Sequence, residues 1–251
     1  MARTPLIAFC AAAVTAAALF PDEASGQRSP RAEFPEAHLT FELFAGLANY
    51  GRFLEEYPID FDDDLSLLGQ REVTADNALA IGASFGARLW EKTGVRLAFT
   101  FSPTELKFED DSGIDSDFLD EDDLADLNVF VLSLEIIQFL LDPNRRWSPY
   151  ASAGITANWW NLGDDGSGEI VAVDETQFRW GGMGTLGVQY RANRNLGVRL
   201  EVATMALGNP FDGNSSYRTT TGIAFDEPGN VRLSRITLAL TYSTLKDRGR
   251  R

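Results

Sequence analysis

Charged side chains occur in two settings in this chain, and each setting suggests a different chemistry. Eight of them, Glu42, Arg88, Arg96, Glu135, Arg179, Arg199, Glu201 and Arg235, stand singly within stretches that alternate apolar residues with small or polar ones. By that alternation they share the face opposite the apolar side chains, where carboxylates and guanidiniums can pair. The second set is crowded: Asp62-Asp63-Asp64, and Asp110-Asp111 through Asp123, in segments without alternation. Clustered carboxylate oxygens are what hard cations such as calcium take. Counting from Asp111, acids fall at relative positions 1, 5, 7 and 12, but Ser116 stands where a calcium loop needs its sharp-turn glycine. A solvated acidic loop is the expectation there, and bridging divalent cations to partner phosphates is the sharper option.

Nucleophilic and metal chemistry have little to work with. One cysteine, Cys10, and one histidine, His38, leave no zinc site built from Cys and His, no Cys–His dyad and no disulfide framework. His38 opens the first alternating stretch and reads as an interfacial polar residue rather than a general base. Carboxylate pairs for glycoside chemistry have no spacing that separates them from loop charge. No catalytic residue, cofactor or metal site is therefore assigned, and no enzyme is expected. Thirty-seven acids against 22 bases, a net charge of −15, argue against a nucleic-acid partner, which would need phosphates neutralised.

The elements that would position these charges are strands. In the first stretch Leu39, Phe41, Leu43, Ala45 and Leu47 alternate with Thr40, Glu42, Phe44, Gly46 and Ala48. Leu79 to Leu89 and Val95 to Phe101 repeat the pattern with Arg88 and Arg96 on the polar face. A more apolar fourth, about 124–138, sets Phe130, Leu132, Leu134 and Ile136 against Val129, Val131, Ser133 and Glu135, with its register open. Further stretches run at about 148–160, from Gln177 to Tyr190, from Leu196 to Ala203 and from Arg235 to Tyr242. Period two without a 3.6-residue stripe argues against a helical reading, with room for a short helix only within Asp115 to Gln138, and the runs exceed ordinary soluble strands, suiting a tilted bilayer crossing.

Connection lengths alternate as well. Those at 51–76, 104–123, 161–175 and 209–230 are long and acidic, whereas 91–94, about 139–147 and 191–195 are short and carry Lys92, Arg145, Arg146, Arg191 and Arg194. Long loops on one rim and short turns on the other predict an all-β, eight-stranded antiparallel up-and-down transmembrane barrel with acidic extracellular loops and periplasmic turns. Trp90, Trp147, Tyr190 and Tyr242 near the short turns, and Tyr50, Phe101, Trp159, Trp160 and Trp180 near the long loops, suggest two interfacial girdles. Strand parity nevertheless sends Trp90, Tyr50 and Trp160 inward.

At the amino terminus, Arg3 and the apolar run from Leu6 to Phe20 have the size of a signal-peptide core, and Ala24-Ser25-Gly26 offers a cleavage site. The expected organisation is a signal peptide at 1–26, a periplasmic segment at 27–36, the barrel at 37–243 and a basic tail at 244–251.

Trp147-Ser-Pro-Tyr-Ala-Ser-Ala-Gly154, Gly184-Thr-Leu-Gly-Val-Gln-Tyr190 and Leu196-Gly-Val-Arg-Leu-Glu-Val202 are the more characteristic pieces. With the strand count they resemble the small outer-membrane β-barrels typified by the OmpA transmembrane domain. That resemblance implies an exported protein of the outer membrane with both termini in the periplasm, in contact with lipid and lipopolysaccharide. The expected role is structural or surface-interacting, as a monomer whose narrow polar lumen is closed by side chains. Two alternatives remain: an OmpW-like narrow channel for small solutes, marked by a lateral opening or an apolar lumen, and a soluble lipocalin-type barrel with its apolar face inward.

Overall fold

The computed structural model describes residues 37–56, 71–110, 123–162, 176–210 and 229–245. The expected signal peptide, the 27–36 segment, the Asp62–Asp64 and Asp111–Asp122 clusters and the tail from residue 246 lie outside the described residues. Ten strands follow one another: β1 (Ala37–Tyr50), β2 (Leu54–Glu56), β3 (Arg71–Ala75), β4 (Ala78–Arg88), β5 (Thr93–Asp110), β6 (Asp123–Phe139), β7 (Trp147–Leu162), β8 (Thr176–Arg191), β9 (Leu196–Gly208) and β10 (Asn230–Leu245). The eight long ones pair antiparallel in sequence order, β5 with β6 included, and β1 joins β10 along its whole length from Ala37↔Leu245 to Tyr50↔Leu233. A closed eight-stranded barrel results, which leaves no unpaired edge within the membrane.

The other two strands depart from the expected loop at 51–76. β2 and β3 form a short hairpin there, and β3 continues beside β5 from Ala75↔Leu106 to Arg71↔Asp110. Runs of three and five residues are too short to declare a period of two. Below the hairpin the β4–β5 ladder stops at Ile81↔Phe101. Between these ladders lies Pro103, which has no N–H to give. Asp76 N–H to Glu105 O (3.0 Å), Thr104 Oγ1 to Asp76 O (2.9 Å) and the Lys107–Asp76 ion pair (2.7 Å) bridge the break, beside which lies a notch of about 370 Å³ in the barrel wall.

Alternation sorts the side chains as the lipid requires. Leu43, Leu47, Leu79, Ile136, Leu238 and Leu240 stand outward and exposed, Leu43 by 69% and Leu240 by 68%. In a soluble protein so broad an apolar exterior would be an aggregation surface, so the lipocalin-type arrangement, with this face inward, does not hold. β6 takes the register with Phe130, Leu132, Leu134 and Ile136 outward and Val129, Val131, Ser133 and Glu135 inward. Phe101, Phe130, Trp159 and Phe178 fall in one register row across β5 to β8 toward the long-connection rim. At the short-turn rim Trp147 packs on Tyr190 with ring centroids 4.6 Å apart. Two aromatic girdles are thus present, while Tyr50 and Trp160 turn inward as parity requires. Trp90 does not: β4 ends at Arg88, so the strand rule no longer governs it and the ring is exposed.

Candidate functional site

The lumen is built in layers, each supplied by the inward residues of all the strands at one height. Its centre is a charged belt. Arg96 of β5 reaches three carboxylates on three other strands: Glu135 Oε2 at 2.8 Å, Glu42 Oε2 at 3.5 Å and Glu201 Oε1 in direct contact. Since β5 and β9 face each other in the strand order, the Arg96–Glu201 contact spans the barrel. Arg199 Nη1 sits 2.7 Å from Glu42 Oε1 and 3.7 Å from Glu201 Oε1, although neither contact is aligned as a hydrogen bond.

Hydroxyls complete the belt. Ser84 donates to Glu42 (2.6 Å), Ser152 and Ser133 donate to Glu135 (2.7 and 3.1 Å), and the Tyr150 hydroxyl donates to Glu201. The Tyr150 ring also lies 4.9 Å from the Arg199 guanidinium, a favourable face for a cation. Such buried pairs add little net stability, because desolvation offsets their attraction, but each of their members is costly to leave alone. A missing side chain makes room for the belt: a Cβ on Gly154 would lie 2.9 Å from Glu135 Cγ and closer still to the Leu134 carbonyl. Gly154→Ala is expected to destabilise the barrel by about 1–3 kcal/mol through overpacking, read as a lower urea midpoint of refolded protein in lipid vesicles. An unchanged midpoint would show that the backbone there yields.

The remaining three predicted lumen residues lie apart from this network. Arg88 and Arg191 both donate to Asn144 Oδ1, at 3.0 and 3.5 Å, so the turn between β6 and β7 folds back under the short-turn mouth. Arg179 sits near the opposite rim and donates from Nε to the Asn209 carbonyl at 3.1 Å. Arg235, level with the upper edge of the belt, makes no ion pair among the described residues: Nη1 donates to Thr100 Oγ1 (2.6 Å) and the guanidinium lies over the Phe44 ring at 5.2 Å.

Toward the long-connection rim the lumen is not polar as expected but apolar. Tyr50, Phe53, Leu106, Leu127, Trp160 and Leu207 are among a buried cluster that fills it. The reason is visible in β6 and β9, whose inward residues Val129 and Val131, Met205 and Leu207 are as apolar as their outward ones. Phe53 comes from the connection after β1, with its ring edge-on to Trp160 (5.5 Å, 86°), and its carbonyl accepts from Asn209 Nδ2 at 2.7 Å. Sequence reasoning missed Phe53 and Asn144, because neither belongs to a strand. Tyr150 was open to the same parity rule that placed Glu135, since it lies two residues from Ser152 on the inward face.

Comparison with known proteins agrees with this architecture. Residues 6–242 match the family described as outer membrane protein beta-barrel domain. The crystal structure of outer membrane protein OprG from Pseudomonas aeruginosa is similar over 84% of this chain and 99% of its own, with a TM-score of 0.55 and 16% identity. Outer membrane protein AlkL in lipid bilayers is similar over 91% of this chain and 100% of its own, with a TM-score of 0.51 and 13% identity. At such identities the likeness is one of fold. No curated protein matches the chain.

Proposed function

The chain belongs to the outer membrane protein beta-barrel domain family, and from that premise we propose that it serves the outer membrane as an axially sealed barrel. Its role is structural or surface-interacting, not catalytic, and it does not provide an aqueous pore. The observation that carries this reading is Arg96, shared among Glu42, Glu135 and Glu201 across the whole lumen. An ion moving along the axis would have to separate charges that are paired in a water-poor interior, where unpaired charge is expensive. The short-turn rim faces the periplasm, the exterior meets lipid and lipopolysaccharide, and the barrel works as a monomer. Reconstituted in planar bilayers, the protein is expected to show no steady nanosiemens openings, and steady openings of that size overturn the sealed reading.

One observation favours a second reading, a narrow route for small apolar solutes that enters from the rim and leaves sideways: the apolar outer half of the lumen. Its side exit would be the notch beside Pro103, whose lining, with Asp76, Asn77, Thr104, Glu105, Asp126 and Asn128, is mostly polar. This route needs no axial pore. Naphthalene uptake into vesicles holding the protein, above that of protein-free vesicles and without conductance, would favour it; equal uptake removes it.

A further inference from the structure

Among the described residues of the lumen, Arg96 and Arg199 are paired with carboxylates, whereas Arg235 is not. Arg235 is 3% exposed, its Nη1 is taken by Thr100, and its Nε has no hydrogen-bond partner. It stands at the floor of the apolar layer: its register partners are Ala48 on β1 and Ala203 on β9, both members of that cluster. One step toward the long-connection rim, on the diagonal, Tyr50 turns inward, and its hydroxyl also lacks a partner. Ser102 is the neighbour of that hydroxyl without an aligned hydrogen bond, and Ser102 Oγ is itself unpartnered. Across the lumen Asn158, fully buried, leaves both amide atoms unsatisfied.

Native interiors rarely leave such groups unpaired; unpartnered polar atoms recur along this lumen, and those of Tyr50 and Ser102 close to Arg235 are a reason to look for what they bind. Guanidinium, phenol, hydroxyl and amide are together a donor-rich set, which suits a carboxylate: two oxygens on a planar head, able to accept from the guanidinium edge and from neighbouring hydroxyls. Directly above, the walls are apolar and aromatic. Leu233, Leu106, Leu127, Leu207 and Trp160 offer a hydrocarbon body the surroundings it needs. The small side chains of Ala48, Ala78, Ala80 and Ala203 keep the wall thin around the floor.

Phe53 fills the top of this column. It arrives from outside the strands, stacks edge-on against Trp160 and lies 6.4 Å from the Tyr50 ring. Its benzyl group is fully buried there, so a hydrocarbon body entering the column would have to displace it.

We infer that the outer half of the lumen is a binding site for an amphipathic monocarboxylate, with the carboxylate on Arg235, Tyr50, Ser102 and Asn158 and the apolar body in the layer that Phe53 closes. This goes beyond the sealed-barrel proposal and stands or falls apart from it, because the site lies above the charged belt and bilayer conductance does not read it.

The test is equilibrium binding of radiolabelled dodecanoate and dodecanol to the full chain held in amphipol. One dodecanoate per barrel is expected to bind saturably, with dodecanol at least about tenfold weaker because it cannot form the charge-assisted bonds. Arg235→Gln is expected to bring dodecanoate down to the dodecanol level while the heat-dependent gel shift of the folded barrel persists. Should that variant fail to fold, the dodecanoate-to-dodecanol ratio of the unaltered protein decides alone. Equal affinity for the two, or no saturable dodecanoate binding, overturns the inference. Unchanged dodecanoate binding in a folded Arg235→Gln barrel does so too, by placing the ligand on the lipid-facing exterior.

Discussion

Arg96→Met is expected to lower the stability of the folded barrel by about 3–5 kcal/mol, the range for removing one partner of a buried ion pair. Arg96 is the shared counter-ion of Glu42, Glu135 and Glu201, all of them buried. Methionine fills much of the same volume, so the loss is electrostatic rather than a cavity. Arg199 remains near Glu42 and Glu201, but among the described residues Glu135 keeps only the Ser133 and Ser152 hydroxyls as hydrogen-bond partners. A neutral hydroxyl cannot replace a cation beside a desolvated carboxylate. Urea titration of refolded protein in vesicles measures the loss.

The same variant carries its own control. Adding Glu135→Gln removes the most isolated of the three carboxylates, and the pair of changes is expected to recover a substantial part of the loss. That non-additivity is the signature of a network acting as one unit. If Arg96→Met alone costs less than about 1 kcal/mol, as a surface pair would, the belt is hydrated and the lumen is not sealed at this level. Planar-bilayer recordings should move with the belt: wild type silent, Arg96→Met showing openings.

Why the belt was half legible beforehand follows from how a membrane barrel is specified. Lipid demands an unbroken apolar exterior, so each strand must announce its outward face, and parity then assigns Glu42, Arg96, Glu135, Arg199, Glu201 and Arg235 to the interior. Which of them meet is a different matter. Arg96 and Glu201 are 105 residues apart and touch only because β5 and β9 stand opposite in an eight-stranded ring. Strand count and register decide that, and no local pattern carries it.

The outer half of the lumen was less legible still. An inward alanine, methionine or leucine, as at Ala203, Met205 and Leu207, blurs the alternation instead of marking a core. Phe53 enters from a connection, where no period constrains it. The β2–β3 hairpin was hidden for a related reason: its few residues are stabilised by pairing with the far end of β5 rather than by any propensity of their own.

Trp160→Ala separates the two layers. Trp160 is fully buried at the centre of the apolar layer, against Phe53 at 5.5 Å and Tyr50 at 6.4 Å. Its removal leaves a cavity lined, apart from Phe53, mostly by side chains that strand positions hold in place, so collapse is limited. About 3–5 kcal/mol of stability is expected to go, as for other large aromatic truncations in packed interiors, comparable to the loss at Arg96. Conductance is where the two part. The belt below Trp160 keeps its pairs intact, so a barrel without the indole is expected to stay silent in planar bilayers although it is just as destabilised. Openings in Trp160→Ala would mean that the apolar layer, and not Arg96 with its carboxylates, is what closes the lumen. Silence in Trp160→Ala alongside openings in Arg96→Met assigns the seal to charge and leaves the apolar layer for another use.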